Sequence, residues 1–207
     1  MDVRTFTVGP VQENCHFAIH AGQAVVIDPG DEAPRLLEAI DALGVEVAAI
    51  LLTHTHFDHV GAVAPVARAT GAEVWCPELE VPVLADIMTY VPWPGFGPFE
   101  SYDADHTVAG GETLSLGGIE FEVLFTPGTA YVTCPGEWPG AIFSGDVLFQ
   151  GSVGRTDLPG GDHATLMRTL ATLVDALPDE TVVYPGHMGN TTIGGERATN
   201  PFLAQPA

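Results

Sequence analysis

Five segments of this chain repeat one design: a short apolar run, then a glycine, proline or small polar residue, then a side chain able to hold a metal. They are A-V-V-I-D-P-G-D (24–31), A-I-L-L-T-H-T-H-F-D-H (49–59), V-L-F-T-P-G-T (123–129), A-I-F-S-G-D (141–146) and V-V-Y-P-G-H (182–187). Each run has the length and β-branched content of a buried strand, and each stop is a turn signal. Strands buried on both faces need a covering layer, and groups placed at their ends sit on rigid supports from which they can converge. That recurrence restricts the chain to a layered α/β architecture with a site at one edge of its sheets.

The rest of the pattern agrees. Val3–Val8, Cys15–Ile19 and Ala24–Ile27 read as strands. Ala33–Leu43 places Leu36, Leu37, Ile40 and Leu43 at helical spacing before Gly44. A strand at Ala48–Leu52, a helix at Val60–Thr70 and a strand at Glu73–Cys76 follow. A helix is expected over Glu78–Tyr90, and Val91–Ser101 is too rich in proline and glycine to be regular. Thr113–Leu116 and Ile119–Phe125 form a hairpin across Gly117-Gly118. Ala141–Ser144 and Thr181–Tyr184 are buried strands, and Asp162 caps a helix over His163–Ala176. With 207 residues, 46% of them hydrophobic, a single domain over 1–207 is expected, with sheets packed together and helices outside.

Charge narrows the partners. Six basic residues, all arginine, stand against 27 acidic ones, for a net charge of −21. Nucleic acid and anionic membranes need a basic patch, so neither is expected as a partner; a small-molecule substrate is. The first residues show no secretory signal, and no apolar run of about 18 residues is present to span a bilayer. Cys15, Cys76 and Cys134 are odd in number and widely spaced, which suits buried thiols in a reducing compartment. A cytoplasmic location is expected. Nothing in the sequence fixes the oligomeric state.

The chemistry concentrates in Thr53-His54-Thr55-His56-Phe57-Asp58-His59, where three of eight histidines fall within six positions. In extended chain His54 and His56 face the same way, and a turn into helix after Phe57 lets Asp58 and His59 aim elsewhere. Neutral imidazole with carboxylate suits zinc, and also iron or manganese.

This T-H-x-H-x-D-H segment resembles the signature of the metallo-β-lactamase fold superfamily. Asp28-Pro29-Gly30, Gly145-Asp146 and Pro185-Gly186-His187 fall in that family's order. Two longer stretches, G-S-V-G-R-T-D-L-P-G-G-D (151–162) and T-I-G-G-E-R-A-T-N-P-F-L (192–203), are similar to the short, single-domain glyoxalase II-like (hydroxyacylglutathione hydrolase-like) hydrolases. The resemblance implies a four-layer αββα sandwich of two mixed sheets. It implies a metal 1 held by His54 and His56, a metal 2 held by Asp58, His59 and His187, and Asp146 bridging both. It also implies hydrolysis of a small ester or thioester, with Asp58 both ligand and proton acceptor. Asp28 would support a ligand histidine from behind.

The chain departs from the family at one place. Where T-P-G-H-(S/T)-P-G is usual, it reads Thr126-Pro127-Gly128-Thr129-Ala130-Tyr131. Either the third histidine of metal 1 has become Thr129 or a four-residue stretch carrying it is absent. Metal 1 is expected to bind weakly in both cases, since a threonine hydroxyl is a poor zinc ligand; His106 and His163 are the replacements considered. Two other functions share the resemblance: an iron-dependent persulfide dioxygenase, which the lost histidine disfavours, and a metal-binding protein without turnover. Arg155 is read either as an anchor for a substrate carboxylate or, preferentially, as a partner of Asp157 or Asp162. Trp93 and Phe96, in the aromatic loop, are substrate-contact candidates.

Overall fold

A computed structural model of the protein describes residues 1–126, 129–134, 140–157 and 161–203, with 129–134 described by backbone alone. Fourteen strands and seven α-helices alternate along these residues. In order they are β1 (Asp2–Val8), β2 (Glu13–His20), β3 (Gln23–Ile27), α1 (Ala33–Leu43), β4 (Glu46–Leu51), α2 (Phe57–Val60), α3 (Val63–Thr70) and β5 (Glu73–Pro77). After a 3-10 turn at Glu78–Glu80 come α4 (Val81–Leu84), α5 (Ile87–Tyr90), β6 (His106–Val108), β7 (Thr113–Leu116), β8 (Ile119–Thr126) and β9 (Thr129–Cys134). The chain continues through β10 (Ala141–Gly145), β11 (Leu148–Phe149), β12 (Ser152–Val153), α6 (His163–Ala176), β13 (Val182–Pro185), β14 (Thr191–Thr192) and α7 (Ile193–Thr199).

Two six-stranded mixed sheets result, ordered β1-β2-β3-β4-β5-β6 and β14-β13-β10-β9-β8-β7. Ala18, Val25, Ile27, Ala49 and Leu51 of the first meet Leu114, Ile119, Phe121, Val123 and Phe143 of the second in a buried layer between them. The opposite face of the first sheet packs Cys15, Phe17, Val26 and Ile50 against Leu36, Ile40, Val63 and Val66 of α1 and α3. The outer face of the second packs Ile142 and Val183 against Leu170, Leu173 and Val174 of α6 and Ile193 of α7. Helix, sheet, sheet and helix give the αββα sandwich. β8 carries its side of the arrangement in strict alternation: Ile119, Phe121 and Val123 are buried while Glu120 and Glu122 are exposed.

Within each sheet the strands leading into the site run parallel: β3 with β4, and β10 with β13. Parallel neighbours end at the same sheet edge, so whatever follows their last residues is delivered to one side of the molecule.

Local expectations hold at most elements. α1 has the expected limits, closed by Gly44 at φ 63°. The Asp162 carboxylate accepts from Thr165 N at the start of α6. The β7–β8 turn uses Gly117 and Gly118, both at positive φ. Two helices are corrected. The expected Val60–Thr70 helix is two pieces, α2 and α3, with Gly61 and Ala62 between them. Ala62 N donates to Pro29 O, and Pro65 has no N–H to continue the ladder. The expected Glu78–Tyr90 helix is broken into a 3-10 turn and two single-turn helices, the last two parted at Asp86, whose backbone (φ −148°, ψ 56°) is not helical.

Candidate metal centre

The side chains at these strand ends come together. β4 leads into His54 and His56, α2 carries Asp58 and His59, the turn after β10 carries Asp146, and the turn after β13 carries His187. Three overlapping clusters form among the described residues: His54, His56 and Asp146; Asp58, His59 and His187; and, behind them, Asp28, His54 and His59. In each, one ligand atom per residue lies within 4.8 Å of the others. His187 Nε2 is 3.2 Å from Asp58 Oδ2 and 3.7 Å from Asp146 Oδ1. His59 Nε2 is 3.3 Å from Asp146 Oδ1, and His54 Nε2 is 3.8 Å from Asp146 Oδ2. Asp146 thus touches the first two clusters.

Three of the imidazoles, His59 and His54 buried and His187 partly buried, are anchored by the far nitrogen. His59 Nδ1 donates to Asp28 Oδ2 at 3.0 Å, His187 Nδ1 to Gln12 O at 3.2 Å, and His54 Nδ1 to Thr53 Oγ1 at 3.0 Å. Fixing the proton on Nδ1 leaves the Nε2 lone pairs aimed inward, the orientation a metal needs. His56 turns Nδ1 toward His54 Nε2, 2.9 Å away. Asp28 is itself held by Thr53, whose N and Oγ1 donate to Oδ1 and Oδ2 at 2.7 and 2.5 Å. Asp28 thus stands behind His59, hydrogen-bonded to its Nδ1.

Two buried atoms in the cluster have no hydrogen bond at all: His59 Nε2 and Asp146 Oδ1. Leaving such groups unpartnered costs about 1–3 kcal/mol each, so an orphaned pair pointing at one spot fits a cation. Charge tells the same story. Burial pushes the Asp146 carboxyl up, but the charges of His59, His54 and His187 overcome it and hold the group far below the usual carboxylate range. Burial pushes His59 down, yet Asp146 and Asp28 raise it well above an ordinary histidine. The carboxylates that favour positive charge at His59 would favour a divalent ion at the same place. His54 moves well downward, through burial and then through the charges of His59 and His56.

Glycines let the supporting backbones close in. A Cβ on Gly30 would lie 1.7 Å from Asp58 O, one on Gly154 would lie 1.8 Å from Asp146 O, and one on Gly186 would lie 2.6 Å from both Asp146 Oδ1 and His59 Cε1. The 151–162 and 192–203 stretches serve the same end. Glu196 Oε2 accepts from Gly151 N and from Asn200 Nδ2, and Asn200 Nδ2 also donates to Ser152 O. The turn so fixed puts Gly154 against Asp146. Leu158, Pro159 and Gly160 of that stretch lie outside the described residues.

Several supporting residues escaped sequence reasoning. Asn14 Nδ2 donates to Pro185 O and Met188 O, pinning the loop around His187. His16 bridges Thr5 Oγ1 and Pro185 O. Glu13 is buried 3.8 Å from His59, with neither oxygen hydrogen-bonded. Glu80 Oε2 accepts from Thr55 Oγ1 at 2.6 Å. The one signal available was a polar E-N-C-H run inside an otherwise apolar strand.

The remaining candidates divide. Arg155 gives Nε and Nη2 to Asp157 at 2.7 and 2.8 Å, the expected ion pair, and lies 5.7 Å over the Trp93 ring. Trp93 and Phe96 gather on Phe57, with ring centroids 6.1 and 4.9 Å away. His106 is engaged elsewhere, bonded to Glu73 and stacked on Trp75. His163 begins α6. The Thr129 and Cys134 side chains, with Pro127 and Gly128, lie outside the described residues. The backbone pairs Thr126 with Thr129, so only two residues separate the end of β8 from the start of β9.

Comparison with known proteins agrees with this architecture. The family model described as "Metallo-beta-lactamase superfamily" matches residues 8–187. The hydroxyacylglutathione hydrolase GloC of Haemophilus influenzae is 35% identical over 98% of this chain and 98% of its own. Among solved structures, the BLEG-1 B3 metallo-beta-lactamase superposes with a TM-score of 0.91 at 36% identity, over 99% of this chain and 100% of that one. TTHA1623 in a di-iron-bound form does so with 0.79 at 40%, over 97% and 100%. The histidine-rich turn, the strand-end aspartates and the αββα layers are those of one group of metal-dependent proteins, and this chain belongs to the metallo-beta-lactamase superfamily.

Proposed function

We propose that the protein is a metal-dependent hydrolase of small esters or thioesters, resembling hydroxyacylglutathione hydrolases, with Asp58, His59, His187 and Asp146 as its principal metal ligands. One observation carries this reading. His59 and His187, anchored at their far nitrogens, turn Nε2 toward Asp146 Oδ1, 3.3 and 3.7 Å away, and neither His59 Nε2 nor that oxygen has a hydrogen bond. The GloC relative supports the reaction class.

Zinc suits the donor set best, and the di-iron form of TTHA1623 makes iron the alternative to compare. His54, His56 and Asp146 supply three donors to the second position. No histidine lies between His106 and His163 to add a fourth, so this position is the weaker one. The tight β8–β9 register supports a deletion over a substitution at the lost histidine.

When bound, a divalent ion would lower the pKa of water and polarise a scissile carbonyl. The chain's own residues do the rest. Asp58, with 14% of its side chain exposed, puts Oδ2 3.2 Å from His187 Nε2, where it can take the proton of the attacking water. Asp28, Thr53 and Gln12 keep the imidazole protons on Nδ1. A net charge of −21 argues against nucleic acid as a partner and fits a small-molecule substrate. No helix among the described residues is long and apolar enough to cross a membrane.

The test is thiol release from a panel of acyl thioesters by zinc-loaded protein, with His59→Ala and Asp58→Asn alongside. The reading expects turnover that falls at least about 100-fold in both variants. Turnover equal in the variants and the parent would overturn it.

A further inference from the structure

The turn that carries His187 is gripped from the first sheet by β2. Asn14 N donates to Gly186 O at 2.7 Å, and Asn14 Nδ2 donates to Pro185 O and Met188 O at 3.1 and 2.8 Å. His16 Nε2 lies 3.0 Å from Pro185 O as well. The carbonyls of residues 185, 186 and 188 are thus all engaged by one strand. Asn14 is buried, and Thr7 Oγ1 on β1 donates to its Oδ1 at 2.9 Å, which keeps the NH2 group facing the turn. From the other side Gly186 N donates to Gly145 O at 2.9 Å, one residue before Asp146.

Two residues around His187 have left-handed backbone. Gln12, at φ 59°, presents its carbonyl to His187 Nδ1, and Met188, directly after His187, stands at φ 70°. A residue with a Cβ enters that region at a cost that glycine does not incur. Met188 is 57% exposed, so packing of its side chain does little to offset the cost. Such backbone persists where its surroundings over-determine it. The bond from Asn14 Nδ2 to Met188 O supplies that constraint. Gln12 orients the ring, and Asn14 fixes the backbone beneath it.

We propose that Asn14 is a positioning residue of the metal centre, which holds Met188 in the left-handed region and thereby keeps His187 aimed at Asp58 and Asp146. The proposal rests on the metal-binding part of the reading above and not on the reaction. Without the Asn14 donors, Met188 turns back toward negative φ in most molecules and carries His187 with it. A site assembled in only a fraction of molecules binds its metal more weakly in proportion to that fraction.

The test combines Asn14→Ala with changes at residue 188 and reads zinc affinity of the metal-free protein by competition with a chelator. Asn14→Ala should raise the zinc Kd about tenfold, the weight of one left-handed residue. In a Met188→Gly background, where left-handed backbone needs no support, the same change should raise it about threefold or less. In a Met188→Ala background, which removes the thioether but keeps the Cβ, the loss should again be about tenfold. Thr7→Val, which frees the Asn14 amide to turn, is the milder variant and should show the same dependence on residue 188. A general loss of structure would weaken zinc equally in all three backgrounds, and that result overturns the proposal. A second readout needs no metal. NMR of the metal-free protein should show at Met188 the strong intraresidue amide-to-Hα NOE of a positive φ, and Asn14→Ala should abolish it. Persistence of that signal in Asn14→Ala overturns the proposal too. Its loss, with no zinc bound even by the parent, upholds the latch and counts against the metal centre instead.

Discussion

Replacing Asp28 with asparagine should convert a metal-ready histidine into an unready one without removing any ligand. Asp28 Oδ1 accepts from Thr53 N, and Oδ2 accepts from Thr53 Oγ1 and from His59 Nδ1. An asparagine has one acceptor oxygen. The Thr53 amide cannot turn round, so the oxygen must face it and the NH2 group must face Thr53 Oγ1 and His59. The hydroxyl can rotate to accept, but His59 Nδ1 can accept only by giving up its proton. That proton then moves to Nε2, the atom aimed at the cluster, where it blocks coordination. Losing an outer partner of a ligating histidine typically costs 10–100-fold in metal affinity, which is about 1.4–2.8 kcal/mol. The assay is zinc affinity by competition with a chromophoric chelator, with nitrogen NMR of the metal-free protein reporting the His59 tautomer. A zinc Kd within twofold of the parent, or a tautomer unchanged by Asp28→Asn, would refute the reasoning.

Other expectations follow from the same geometry. Gly186→Ala places a methyl 2.6 Å from Asp146 Oδ1 and His59 Cε1; overpacking of this kind costs about 1–3 kcal/mol, and zinc affinity should fall with it. Gly140→Ala, whose Cβ would meet nothing closer than 3.4 Å, is the control, and similar chelator titrations of both variants would contradict the packing argument. His16 gives a pH signature. Its neutral ring is satisfied by Thr5 and Pro185, and burial, opposed by the Pro185 hydrogen bond, takes its pKa from 6.5 to about 4. The folded value lies below the unfolded one, so its contribution is intact above pH 6.5. It drains away as the pH falls toward 4, by about 3 kcal/mol in total. Urea unfolding at pH 7 and pH 4.5 should therefore show a smaller pH loss in His16→Gln than in the parent; an equal loss would assign the acid sensitivity elsewhere.

What the sequence revealed and what it hid have physical reasons. That His54, His56, Asp58, His59, Asp146 and His187 would gather in one place was legible because each directly follows a buried strand whose end fixes its position. The limits of α1 were legible because Gly44 and the Leu36–Ile40 stripe are local signals. The break at Gly61-Ala62 was not, since it depends on Pro29 O, a group more than thirty residues earlier that takes the Ala62 amide. Glu13 and Asn14 were hidden for the same reason: their setting beside His59 and the Pro185–Met188 loop is made by tertiary packing. Arg155 was readable as an ion-pair partner because Asp157 is two residues away, whereas its position over Trp93 required the fold. The departure at Thr126–Tyr131 was plain in the sequence, and the Thr126–Thr129 pairing adds how little chain is left there.

Anomalous diffraction at the zinc edge, from crystals grown with zinc and then washed free of excess, addresses the metal centre itself. The account predicts one strong peak about 2.0–2.2 Å from His59 Nε2, His187 Nε2 and an Asp58 oxygen, with a weaker or absent peak beside His54 and His56. A dominant peak at His54 and His56, or none within reach of His59, would contradict it.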